Sequence, residues 1–466
     1  MRLLTHLKNQ WSGVAIATLV LLVLAFVLGG ASRQHELRLA IVELAALPAL
    51  MLGVLVLLQR SQWKPYSYAF MVLAGIAAIP LIQIIPLPPQ IWTALPGRQA
   101  LVDALALAGM EPAWSSWSLT PDRTWRSFLA LLPPIAVFVG ALACTGADRE
   151  RFIRLLLLGV GVAMLLGAIQ FASGSERFYL WATTAAGNVV GFLANRNHMA
   201  TLCLMCLPFA AVMGAAVLRR GEHRNRMMLW LSILFIAMVV LTLGAARSRT
   251  GVILLGPTLG VSMIAAWIAS GRDRPKPQFL AAVGAGILAL ITLSVFILSP
   301  VLERFDTVGA KEGRFENWPF VLQAANTYLP TGSGIGSFDA VFRSVEPLAL
   351  LDATFFNQAH NEYLETWLEA GWLGAIVLIA FMVWFSRRSW TAWRTGPSTQ
   401  RDLQRAASIA IAVVLIHSIV DYPLRTETLA TIFALMCALL ETAHLSDSAL
   451  AVESGGRPRR RRRSGR

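Results

Sequence analysis

The chain has 466 residues, of which 56% are hydrophobic and only 14% charged, and its mean hydropathy is +0.60. A soluble domain carries about 25% charged residues, so this is the composition of a polytopic membrane protein, not of a water-soluble enzyme. The net charge of +14 does not point to nucleic acid, because the positive residues lie mostly in short segments between apolar runs, where they set membrane topology.

Taken in order, the apolar runs predict an all-α protein with about 12 transmembrane helices. They fall near residues 12–30, 38–58, 67–85, 126–144, 152–172, 197–217, 227–245, 250–269, 279–299, 367–385, 406–422 and 426–443. The first run follows Arg2, His6 and Lys8 as a signal peptide would. No small-x-small cleavage site follows Gly29-Gly30, so it is read as a retained helix. With the N-terminus in the cytoplasm, most of the 40 lysines and arginines fall on the inner side. That asymmetry puts both termini inside. Residues 1–456 then form a single membrane domain, with outer loops at 86–125 and 300–366.

Between these runs a few stretches stand out. Pro86, Pro88, Pro89 and Pro96 break the first outer loop. Within it, Ile91 to Leu107 reads either as a short amphipathic helix on the outer leaflet, with Trp92, Trp114, Trp117 and Trp125 as interface anchors, or as a structural cap over the bundle, and the cap is preferred. Cys144, Cys203, Cys206 and Cys437 all lie in apolar runs, and Cys203-x-x-Cys206 has no second ligand pair to make a metal or redox site. The tail, residues 457–466, carries the polybasic run Arg457-Pro-Arg-Arg-Arg-Arg-Arg463 and is expected to attract anionic lipid.

Chemistry-bearing residues gather in three stretches on the predicted outer side. One is Asn195-Arg-Asn-His198 at the entrance of the sixth span. Another is Arg247-Ser-Arg249-Thr-Gly251, between the seventh and eighth. The third is the long loop, with Arg314, Gly332-x-Gly334-x-Gly336 and His360-Asn361-Glu362. Arginines near hydrocarbon need a reason to be there. Arg196, Arg247, Arg249 and Arg314 are candidates to neutralise a diphosphate, for which a guanidinium offers a matched fork of donors, or they snorkel to headgroups. The glycines permit turns with φ > 0 and close approach of a ligand, or simply reverse the loop. His360 is the candidate proton acceptor. Glu362, Glu365 and Glu369 share a helical face below it, where one of them orients the imidazole or all pair with arginines. His417 and Asp421 lie four apart, and an interhelical hydrogen bond is preferred to a proton relay for them.

In the order and setting of Asn195-Arg-Asn197, Ser248-Arg249-Thr-Gly251, Arg314-x-x-x-Trp318, Pro330-x-Gly-x-Gly-x-Gly336, His360-Asn361-x-x-Leu364 and Glu369-x-Gly371-x-x-Gly374, the chain resembles the O-antigen ligase and O-antigen polymerase superfamily of bacterial membrane glycosyltransferases. The resemblance covers about the last 270 residues; the first 120 match in hydropathy only. It implies an inner-membrane enzyme with a polyprenyl-diphosphate-linked glycan as donor. The acceptor is a sugar hydroxyl, on lipid A–core for a ligase or on a second lipid-linked glycan for a polymerase. It implies inversion at the anomeric carbon and neither metal nor nucleotide cofactor. By position Arg249 and Arg314 match its diphosphate-binding arginines, with Arg247 and Arg196 secondary, and His360 matches its proposed base, with Asn361, Glu362, Gly334 and Gly336 in support. A 12-helix secondary transporter is the rival from a different class, although no repeat relates the two halves. A non-catalytic partner in polysaccharide assembly is a third reading.

Overall fold

The computed structural model describes residues 12–31, 36–61, 63–181, 187–219, 226–271, 313–350 and 356–442. The expected ninth span at 279–299 and the polybasic tail lie outside these residues. The amino-terminal part holds α1 (Gly13–Leu28), α2 (Glu36–Gln59) and α3 (Ser67–Gln83). A polar region follows, in which strands β1 (Pro86–Leu87) and β2 (Ser115–Ser116) pair antiparallel around two short helices, α4 (Pro89–Trp92) and α5 (Gln99–Leu107). Next come α6 (Pro121–Leu129), α7 (Leu132–Ala143), α8 (Gly146–Ser173), α9 (Arg196–Arg219), α10 (Arg226–Ala246) and α11 (Arg249–Ala269). The last part comprises α12 (Gly313–Tyr328), α13 (Phe338–Val345), α14 (Glu362–Arg394), α15 (Thr399–His417) and α16 (Glu427–Glu441).

Eight helical stretches among the described residues are long and apolar enough to cross a membrane, namely α2, α3, α6 with α7, α8, α9, α10, α11 and α14; α1 is a shorter apolar helix. This is a multi-pass, almost wholly helical membrane protein, as expected where lipid cannot satisfy backbone polar groups. Position in the bundle follows side-chain size and polarity. The most apolar window of α9 is 83% buried, against 17% for α10. α9 is the central helix, enclosed by α10, α11 and α15, and it carries Cys203 and Cys206 as fully buried packing residues. α10 shows Met227, Trp230, Leu234 and Leu241 outward, the face a lipid-exposed helix needs.

At the other end of α14 and α16 from His360, buried ion pairs tie helices together. Arg388 of α14 donates Nε and Nη2 to Glu441 of α16, each at 2.7 Å. Asp402 at the start of α15 accepts from Arg219 of α9 at 2.7 Å and from Arg405 at 2.9 Å.

Three expectations are revised. The span foreseen at 126–144 begins at Pro121 and is two helices, because Pro133 and Pro134 lack the N–H groups that would continue the ladder from α6 into α7. The amphipathic helix expected over 91–107 is split into α4 and α5 at Pro96-Gly97. Trp92 is not an interface anchor: it is 2% exposed and donates Nε1 to the Ala113 carbonyl at 2.8 Å. Trp114 and Trp125 do stay exposed. The described part of the 300–366 loop is largely ordered into α12 and α13. Buried Arg98 joins the 86–125 region to α12 by donating to the Trp117 carbonyl and facing the Tyr328 ring at 5.9 Å.

Candidate functional site

The site is built on a break in α14. Gly371 has φ +53° and ψ −137°, which interrupts the helix and leaves backbone groups around it without helical partners. The loop 330–336 supplies them. Gly334 N donates to the Glu369 carbonyl at 2.9 Å, Ser333 N to the Leu368 carbonyl at 3.0 Å, and Trp372 N to the Pro330 carbonyl at 3.0 Å. Gln83 of α3 adds a donor to the Glu369 carbonyl at 3.0 Å. This docking explains the glycines. Gly332, Gly334 and Gly336 all have positive φ. A Cβ on Gly332 would stand 2.5 Å from the Glu369 oxygen, and one on Gly334 would stand 2.1 Å from Ser118 Oγ. Here Gly334 and Gly336 fit loop to helix: Gly336 N and Phe338 N both donate to Glu369 Oε1, at 2.9 and 3.2 Å.

His360 precedes α14 and sits at φ +49°, a region that costs a non-glycine residue about 1–3 kcal/mol and persists only where its surroundings impose it. They do so on both sides. The Ala359 carbonyl accepts from Trp318 Nε1 at 2.9 Å, and Ala359 N donates to Glu365 Oε2 at 2.9 Å. Asn361 caps α14 by accepting from Leu364 N at 3.0 Å. The His360 side chain keeps 19% of its exposure, and Nδ1 lies 3.6 Å from Oδ1 of Asp421. That separation is just beyond a hydrogen bond.

Asp421 is 1% exposed and lies in the turn after α15, which ends at His417. Four residues from three parts of the chain surround it. His417 Nε2 is 3.9 Å from Oδ2, and His417 Nδ1 is 2.7 Å from Thr201 Oγ1 of α9. Tyr422 places its ring 4.8 Å from that of His360 and 5.3 Å, edge to face, from that of buried His198. The expected interhelical hydrogen bond of His417 is therefore present, to Thr201. Asp421, not Glu362, Glu365 or Glu369, is the carboxylate beside His360. Among the described residues no three His, Cys, Asp or Glu side chains converge in a metal-binding arrangement.

The three glutamates turn the other way, toward a second basic residue. Arg425 Nη2 bridges Glu365 Oε1 at 3.2 Å and Glu369 Oε2 at 3.1 Å. Burial disfavours the charged guanidinium, but Glu365, Glu369 and Glu362 outweigh it and raise its pKa. Glu362 accepts from Leu424 N at 2.7 Å and from Ser418 Oγ at 3.2 Å. These residues wall one end of a cavity of about 710 Å³ between α3, α14 and α16. His360 is not on its wall, so the base candidate and this cavity are neighbours, linked through Glu362.

The arginines come in by helix starts. Arg196 is the first residue of α9, two before His198, and donates to Asn188 Oδ1 at 3.3 Å. Arg249 opens α11, where Ser248 Oγ caps Gly251 N at 3.2 Å. Gly251 packs so closely on α9 that a Cβ would stand 2.7 Å from Ala200. Arg249 is thereby held at the same end as His198. Arg247 is exposed in the turn before α11, at φ +51°. Arg314 is the second residue of α12, and its side chain lies outside the described residues.

A family model described as O-antigen ligase matches residues 233–379. Over this stretch the chain is similar to the O-antigen ligase and polymerase superfamily. The O-antigen ligase match takes in Arg247, Arg249, the glycine loop, His360 and the broken half of α14, and it ends before Asp421 and Arg425. The family implies glycosyl transfer in a membrane. Among curated proteins none matches the chain. Sequence spacing foresaw His360 and the arginines as candidates and set His198 in one of the same stretches, but it did not place Asp421, Tyr422 or Arg425 around them. The one signal for Asp421 was its four-residue distance from His417.

Proposed function

We propose that the protein is an O-antigen ligase-type glycosyltransferase of the bacterial inner membrane. It moves a glycan from polyprenyl diphosphate to a sugar hydroxyl of lipid A–core, on the periplasmic face. His360 takes the hydroxyl proton as that oxygen attacks the anomeric carbon from the side opposite the leaving group. Asp421 steadies the imidazolium that forms, as a buried carboxylate beside an imidazole does. Arg249 and Arg314, with Arg247 and Arg196, stabilise the diphosphate as it departs and gains charge, work that other transferases give to a metal ion. Asn361 and Glu362 fix the start of α14, and Gly334 and Gly336 fix the loop that holds Glu369.

The observation that carries this reading is the His360–Asp421 pair at the end of the bundle where α9 and α11 begin with arginines, within and beside the O-antigen ligase match. Lipid-linked intermediates in a strain lacking the protein test it. Long polymer stranded on polyprenyl diphosphate, with bare lipid A–core, is the expected result. Single repeats stranded there, with one-unit surface glycan, would make the protein a polymerase. Normal levels of both would overturn glycosyl transfer.

A further inference from the structure

The 710 Å³ cavity has two unlike ends. Val377 and Phe381 of α14 and Phe433 of α16 line one. At the other, Arg425 meets Glu362, Glu365 and Glu369, and Glu427 opens α16. Glu427 is only 7% exposed, and its Oε2 has no hydrogen-bond partner. A buried carboxyl oxygen without a donor is costly. On a cavity wall it is the natural place for a ligand hydroxyl.

The polar end is unsuited to phosphate. The guanidinium of Arg425 is already shared between two carboxylates. Arg123, the other guanidinium on the wall, is paired with Asp339 at 3.1 Å. Glu362, Glu365 and Glu369 are likewise engaged by backbone donors, Ser418 or Arg425, so what this end offers an incoming group is the open oxygen of Glu427, an acceptor for a hydroxyl and no partner for a phosphate.

We propose that this cavity binds an amphiphile with an uncharged, hydroxyl-bearing headgroup, the headgroup on Glu427 and the hydrocarbon along Phe381 and Phe433. The diphosphate is held elsewhere, by the arginines that open α9 and α11. The assignment rests on the transfer reading only in naming the sugar hydroxyl as the group to be held. Binding itself is measured without transfer.

The test uses the full chain in phospholipid nanodiscs with a diazirine-bearing dodecyl glucoside, and labelled residues are mapped by mass spectrometry. Labelling is expected on the facing segments of α14 and α16. Unlabelled dodecyl glucoside should displace it and farnesyl diphosphate should not. Glu427→Leu should lower it up to about tenfold, the scale of one lost hydrogen bond. Glu427→Gln keeps an acceptor in the same shape and guards against a folding artefact; it should stay within about threefold. Displacement by farnesyl diphosphate, equal labelling by a diazirine-bearing phosphatidylcholine, or labelling indifferent to Glu427→Leu would each overturn the proposal. His360→Ala separates it from the proposed function. If that variant transfers glycan normally while labelling persists, the transfer chemistry fails and the cavity assignment stands. If labelling shows the overturning pattern while His360→Ala abolishes transfer, the reverse holds.

Discussion

Asp421 lies 3.6 Å from His360 although the two are 61 positions apart in the chain. In the proposed mechanism a carboxylate there stabilises the protonated ring. Asp421→Asn keeps the shape and removes the charge. Transfer from a lipid-linked donor should fall about 10- to 100-fold, and His360→Ala should lower it about 100-fold or more. The double variant should be no worse than His360→Ala alone, because the aspartate acts through the histidine. An additive loss in the in vitro transfer assay would show that Asp421 works independently.

Arg249 is placed by the cap of α11 and by the contact of Gly251 with Ala200. Lysine there keeps charge but loses the fork that matches phosphate oxygens. Arg249→Lys should retain a minor part of the transfer rate, and Arg249→Ala about 10-fold less than Lys. Surface glycan and in vitro rate are the readouts. Full activity in the alanine variant would reassign Arg249 to snorkelling.

Gly371 is the hinge on which the site depends. A Cβ there would stand 2.3 Å from the Pro330 oxygen, at a φ of +53°. Gly371→Ala should destabilise the protein by about 2 kcal/mol or more, through backbone strain and displacement of the glycine loop. Thermal unfolding in nanodiscs measures it. An unchanged melting temperature would mean that the break does not depend on glycine.

The Arg388–Glu441 pair is buried and bidentate, and both partners lie far from His360 along their helices. Glu441→Ala leaves a buried cation without a partner and should cost about 3–5 kcal/mol. Adding Arg388→Met should recover much of that loss, since an apolar pair of similar size is often tolerated. A thermal double-mutant cycle reads the coupling. A Glu441→Ala variant as stable as the parent would mean that water reaches this end of the bundle.

Hydropathy placed helices close to where they stand because lipid imposes a length and a composition on every crossing segment. The expected 197–217 and 250–269 became Arg196–Arg219 and Arg249–Ala269. It stumbled where proline chemistry is local, at Pro133-Pro134 and Pro96-Gly97, and at Gly371, which hydropathy does not see. His360, Arg249 and the glycine loop stood out in sequence because such residues are rare beside apolar runs. Their neighbours were hidden for the opposite reason: Asp421 and Arg425 sit at helix ends distant in the chain, and only packing of α9 against α15, and of α14 against the turn before α16, brings them together. The glycine loop shows the division well. Its capacity for positive φ was legible from composition. That it serves to satisfy the carbonyls freed by a broken helix was decided by tertiary structure, because a backbone group left open inside a membrane protein must find its partner from another element.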